Sequence, residues 1–113
     1  MTASAFSLSA AIPTDGFRVS GGEPVIGGLH GPSRHYFCSY CMSWLFTRPE
    51  GLDFFVNMRP TMLDTRGWDE PFIETCTAEK LLWASTPAKH SYPGFPPPED
   101  YQRLIDEYAA QRA

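Results

Sequence analysis

Two cysteines separated by two residues, Cys38 and Cys41, are the part of this sequence whose chemistry is easiest to interpret. A turn between two such cysteines can direct both sulfurs towards one tetrahedral zinc ion, but zinc takes four ligands and the pair supplies two. The other candidate ligands do not repeat this tight spacing; they are Cys76, His30, His35 and His90. The spacing alone therefore predicts half of a zinc site and not a complete one.

Three interpretations of the cysteine pair remain open at this level. The pair is half of a structural zinc site, a redox dithiol, or two ordinary buried cysteines. A redox dithiol usually lies at a helix N-terminus, where the helix dipole lowers the thiol pKa. Residues 43–46, which follow Cys41, have the composition of a strand, and this disfavours the redox interpretation.

The sequence around the remaining candidate ligands indicates that these residues have structural roles. Alternation along a strand places His35 on the same face as Phe37, which favours a hydrogen-bonded or half-exposed strand histidine over a metal ligand. His90 lies in a proline-rich segment and is expected to be a solvated loop residue. Cys76 is expected on a strand, where a cysteine behaves as a small buried apolar residue. No catalytic residue can be assigned from these patterns.

Apolar and polar residues alternate along much of the chain, and this predicts a mainly β architecture. Strands are expected over residues 6–12, 17–19, 34–37, 44–47, 52–58 and 71–77. The order of strand, Cys-x-x-Cys and strand predicts a β-hairpin with both cysteines at its tip. The prolines of residues 86–98 predict an irregular segment.

One helix is expected, at the C-terminal end. An apolar stripe at i, i+3, i+4 and i+7 predicts that one face is buried; it consists of Tyr101, Leu104, Ile105 and Tyr108. Pro98 suits the first turn of such a helix. The core is expected to include five aromatic residues, Trp44, Phe54, Phe55, Trp68 and Trp83.

Length and charge restrict the class of protein. The 113 residues fit a single domain over residues 1–113. A net charge of −4 gives no electrostatic footprint for nucleic acid or an anionic membrane, so neither is expected as a partner. Three cysteines with one tight pair do not indicate a disulfide framework, so we expect a cytoplasmic protein.

Four segments, read in order, resemble one family. They are Thr2-Ala3-Ser4-Ala5-Phe6-Ser7, Phe17-Arg18-Val19-Ser20-Gly21-Gly22-Glu23-Pro24, Arg34-His35-Tyr36-Phe37-Cys38-Ser39-Tyr40-Cys41 and Tyr92-Pro93-Gly94-Phe95-Pro96. Their order and spacing resemble the glutathione-dependent formaldehyde-activating enzyme family. The chain resembles the C-terminal two-thirds of such an enzyme domain.

The resemblance implies antiparallel β-tent-like sheets with a C-terminal α-helix, and a structural zinc to which Cys38 and Cys41 would contribute the second pair of ligands. It also implies carbon–sulfur lyase chemistry, in which a catalytic zinc assists the addition of glutathione to formaldehyde. Two features depart from the family. Met42 stands where the family has a glycine, and the family's catalytic Cys-His-Cys-x-x-Cys run does not occur in these 113 residues.

Two functions are therefore expected as alternatives. The first is a shortened, S-(hydroxymethyl)glutathione synthase-like protein that is inactive as given and retains affinity for glutathione or a small thiol adduct. The second is a non-enzymatic β module that self-associates as a homodimer through exposed sheet edges. For the first we expect the natural reading frame to extend upstream of Met1. In either case two thiolates leave zinc with two open positions, so one tightly held zinc per chain is not expected.

Overall fold

The computed structural model describes residues 1–28, 31–64, 67 and 69–112. They divide into two compact units, residues 1–69 and residues 70–113. The described part is mainly β, as the alternation of the sequence predicts, and it ends in a helix. Two residues named above, His30 and Trp68, lie outside the described residues.

The first unit is a five-stranded antiparallel sheet with the strand order β1-β5-β4-β3-β2. Its strands are β1 (Ala10–Pro13), β2 (Val25–Gly27), β3 (Arg34–Phe37), β4 (Trp44–Arg48) and β5 (Phe55–Met58). β3 and β4 form a hairpin in which His35 faces Thr47 and Tyr36 faces Phe46. β1 and β2 are therefore the two edge strands of this sheet.

The core of the first unit lies on the sheet. Val56 is completely buried in β5 opposite Ile12, and Phe46 is buried in β4. The ring of Phe46 stacks on Tyr36 with centroids 4.7 Å apart and meets the tilted ring of Phe17 at 4.9 Å. Such pairs supply apolar burial with a defined geometry, which suits a small sheet rich in aromatic residues.

The second unit combines a short parallel strand pair with a helix. β6 (Ile73–Glu74) pairs with β7 (His90–Ser91), and α1 covers Tyr101–Arg112. Only part of the expected apolar stripe is buried: Leu104 is 2% exposed, whereas Ile105 is 57% exposed. Leu104 is thus the buried residue of α1.

Several strand predictions need correction. The strands expected over residues 6–12 and 52–58 begin only at Ala10 and Phe55. Residues 17–19 form no ladder, because the Phe17 N–H bonds the Thr14 carbonyl in a 3₁₀ turn. The strand expected over residues 71–77 stops at Glu74, since Cys76 has a left-handed backbone with φ of 57°. β2 was not predicted, because its two branched residues stand between segments rich in glycine and proline.

Two of the aromatic residues expected in the core are exposed. Phe54 precedes β5 in a turn and is 72% exposed, and its ring packs against Phe55 with centroids 4.9 Å apart. Trp83 is 76% exposed because it lies in a turn closed by a hydrogen bond from the Ala84 N–H to the Leu81 carbonyl. Among the described residues, none of the helices has the length and apolar character needed to cross a membrane.

Candidate functional site

The cysteine pair lies at the tip of the β3–β4 hairpin, as the sequence predicts. The Cys38 N–H donates to the Ser43 carbonyl at 2.9 Å, and the Met42 N–H donates to the Cys38 carbonyl at 2.9 Å. These two bonds close the turn that carries both thiols. No helix begins here, so the feature that lowers the pKa of a typical redox dithiol is missing from this turn.

Met42 has the backbone conformation that glycine adopts most readily. Its φ is 61°, and a left-handed conformation costs a non-glycine residue roughly 1–2 kcal/mol. Its side chain is 57% exposed, so little packing offsets that cost. Met42 therefore adds strain to the turn.

Both thiols have polar neighbours within the turn. The Tyr40 N–H donates to Cys38 Sγ at 3.4 Å, and Cys41 Sγ lies 3.2 Å from Ser43 Oγ. The Ser43 hydroxyl, then the Ser43 backbone and the Cys38 side chain, lower the pKa of the Cys41 thiol. Cys38 is half-buried and Cys41 is exposed, so the interpretation as two ordinary buried cysteines is wrong.

A shallow cleft of about 140 Å³ adjoins Cys38. Its lining consists of Gly21, Gly22, Glu23, Pro24, Cys38, Ser39 and Leu45. The cleft therefore brings together two of the segments on which the family resemblance rests. It also places one carboxylate-bearing residue, Glu23, in the same cleft as one thiol.

The hairpin is supported by a buried polar cluster on β3 and β4. His35 Nδ1 lies 2.7 Å from Thr47 Oγ1, and Trp44 Nε1–H donates to the same oxygen at 3.0 Å. The ring of Trp44 meets the ring of His35 edge-on at 5.5 Å. His35 is buried, so the prediction of a hydrogen-bonded strand histidine is confirmed.

Arg59 packs beneath this cluster. Its guanidinium stacks on the Trp44 ring at 3.7 Å and donates through Nη2 to Ser9 Oγ. Its Nε and Nη1 atoms have no hydrogen-bond partner among the described residues, and burial lowers the pKa of this group. The sequence carries no signal for this contact, because Arg59 simply follows a buried strand.

The other candidate ligands have structural surroundings that differ from the sequence-based predictions. Cys76 is exposed and not buried, because its left-handed backbone places it after β6 at the start of a 3₁₀ turn. His90 is part of β7 and not a solvated loop residue, and its Nε2 lies 3.0 Å from a carboxylate oxygen of Glu107. Within residues 1–28, 31–64, 67 and 69–112, no three His, Cys, Asp or Glu side chains are grouped to hold a metal ion.

Comparison with protein-family models, with curated proteins and with solved structures gives no match. Cys38 and Cys41 are two sulfur donors on one turn, with a hydrogen bond to one sulfur and a lowered pKa at the other. This donor set fits two of the four positions of a structural zinc ion.

Proposed function

We propose that this chain is a zinc-binding β module in which Cys38 and Cys41 contribute two thiolate ligands. The observation that carries the proposal is the closed turn between β3 and β4, which carries both sulfurs next to hydrogen-bonding groups. Zinc binds the thiolate and not the thiol, so groups that favour the thiolate favour metal binding.

The proposed role of zinc is structural. A metal held by both sulfurs would join the two ends of the turn and so stabilise the hairpin that it closes. Within the chain, the Tyr40 N–H donates to Cys38 Sγ, and Cys41 Sγ lies 3.2 Å from the Ser43 hydroxyl oxygen. The Trp44, Thr47 and His35 cluster fixes the strands behind them.

We further propose that the chain is related to the glutathione-dependent formaldehyde-activating enzymes and has their β-tent-like arrangement. The hairpin-tip cysteines and the left-handed backbone at Met42 support this relation, since a glycine stands at that position in the family. Glutathione or a small thiol adduct is the corresponding ligand class. We assign no lyase step to a residue, because the family's catalytic cysteine run does not occur in this sequence.

The zinc-binding proposal can be tested with Co²⁺, whose thiolate complexes absorb in the near ultraviolet. We expect absorbance on titration of the wild-type chain and its loss in the double variant Cys38→Ser, Cys41→Ser. Cys76→Ser is the matched control, because it also removes a thiol from an exposed position and should leave the signal unchanged. A wild-type chain that gives no thiolate absorbance, or a double variant that retains it, would contradict the proposal.

A second candidate function is self-association through the edge strand β2. Ile26 is 53% exposed on this strand, and an edge with unpaired backbone groups can pair with another sheet. Ile26→Lys should then give a monomer by sedimentation, while Val19→Lys, an equally charged change at another exposed apolar residue, should not. Self-association of this kind would be unaffected by a chelator.

A further inference from the structure

We infer that the zinc site at the hairpin tip is completed by the same hairpin of a second copy, so that one zinc ion joins two chains through four thiolates. The inference rests on the proposed zinc-binding function of Cys38 and Cys41, and it names the partner that this site requires. A shared ion on a two-fold axis would receive the same two ligands from each chain.

The number of zinc ligands that one chain supplies indicates that the partner is a second copy. A closed structural zinc site has four protein ligands, and the turn supplies two of them. The part of the chain that the structure describes contains no group of three candidate ligands. A second copy supplies two sulfurs of the same chemistry, whereas any other partner would have to supply an unrelated pair.

The tip is accessible to a second chain. Residues 39–42 are all exposed, and the Tyr40 side chain is 95% exposed between the two cysteines. Tyr40 and Met42, two exposed side chains of the tip, make up what we call the apolar rim. In a two-fold arrangement each rim would cover the other, and burial of apolar surface favours association.

Charge also favours a second copy. Residues 35–47 contain no Asp, Glu, Lys or Arg, so the hairpin tip carries no like charges that would repel its own copy. The four thiolates are the exception, and the divalent ion between them offsets part of that charge. Each cysteine that is still protonated releases one proton to the buffer as it binds zinc, so assembly is accompanied by proton release.

Among the described residues, a competing ligand is Glu23, which lines the cleft beside Cys38. A carboxylate can occupy a zinc position, and it would lead to a monomer with one zinc per chain. Glu23→Gln distinguishes the two arrangements, because it should leave a zinc-bridged dimer intact.

The experiment is sedimentation of the full chain with measured zinc content, during titration with zinc chloride and after a chelator. We expect about one zinc for two chains, a dimer in zinc and a monomer in chelator. The double variant Cys38→Ser, Cys41→Ser should stay monomeric. One zinc on each monomer would overturn the inference but leave the proposed function standing. A dimer that survives chelation would also overturn it, and absence of zinc binding would end both.

A second variant keeps both thiols and so avoids any loss of folding through the cysteines. Tyr40→Glu places like charges across the two-fold axis and should weaken zinc-dependent dimerisation by about tenfold or more. Leu52→Glu makes the same change in charge at an exposed residue in the turn after β4 and should leave dimerisation unchanged. Equal dimerisation constants for the two variants would overturn the inference.

Discussion

At the scale of single residues, Ser43 determines how readily Cys41 becomes a thiolate. The hydroxyl and the backbone of Ser43 are the main groups that lower the pKa of this thiol. Ser43→Ala removes the hydroxyl and should raise the pKa of Cys41. Alkylation of Cys41, followed by peptide mass spectrometry across pH, should then shift to higher pH. Cys76 in the same molecule is the internal control, and an unchanged Cys41 profile would contradict the assignment.

Met42 is the second residue with a measurable effect. Because its left-handed φ costs more than the added chain entropy of glycine in the unfolded state, Met42→Gly should stabilise the protein by about 1 kcal/mol. Met42→Ala is the control, since it shortens the same exposed side chain and keeps the strain. Urea unfolding of both variants measures the difference. Equal free energies of unfolding for the two variants would show that the turn is unstrained.

At the scale of elements, the helix α1 depends on one buried residue. Leu104→Ala should lower the free energy of unfolding by about 2–5 kcal/mol, because it leaves a cavity under the helix. Leu104→Asp should cost more, since an unpaired charge would be buried. Ile105→Ala, one position along on the exposed face, should change stability by less than about 0.5 kcal/mol. Similar losses for Leu104→Ala and Ile105→Ala by urea unfolding would contradict this packing.

An ion pair connects α1 to the segment that contains β7. Glu107 lies 2.5 Å from Lys89 Nζ and 3.0 Å from His90 Nε2, and the Lys89 hydrogen bond is the main cause that lowers the pKa of Glu107. The ionised carboxylate therefore stabilises the folded state above its ordinary pKa of 4.5, and this contribution is lost as the pH falls through the lowered value.

Glu107→Gln should consequently remove part of the loss of stability in acid, below about pH 4.5. The measurement is the thermal midpoint between neutral pH and pH 3. Glu50→Gln, an exposed carboxylate on the turn after β4, is the matched control and should retain the wild-type pH dependence. If the thermal midpoint of Glu107→Gln falls in acid as steeply as that of the wild-type chain, the role of the ion pair is contradicted.

Elements that depend on neighbouring residues were predictable, and contacts between distant residues were not. The Cys38–Cys41 hairpin follows from local alternation and a short turn. The hydrogen bond between His90 and Glu107 joins residues 17 positions apart, and neither residue type predicts the other as its partner. Cys76 is exposed because its backbone is left-handed, and a cysteine in the sequence does not predict that conformation. Arg59 beneath Trp44 is likewise a tertiary contact.

At the scale of the whole molecule, the mainly β architecture and the C-terminal helix were predictable. Apolar residues recur with a different period in strands and in helices, and both periods occur in the sequence. The strand order β1-β5-β4-β3-β2 was not predictable, since β1 pairs with a strand more than forty residues later in the chain. Dimer formation and relation to the formaldehyde-activating enzymes remain predictions. They concern surfaces and ligands, which sequence periodicity does not determine.

The central claim is that Cys38 and Cys41 bind zinc together, and protection from alkylation tests it most directly. The wild-type chain is treated with an alkylating reagent with and without zinc, and each cysteine is quantified by peptide mass spectrometry. We predict that zinc slows the alkylation of Cys38 and Cys41 to the same extent and leaves Cys76 unchanged. Equal alkylation of all three cysteines with and without zinc would contradict the claim.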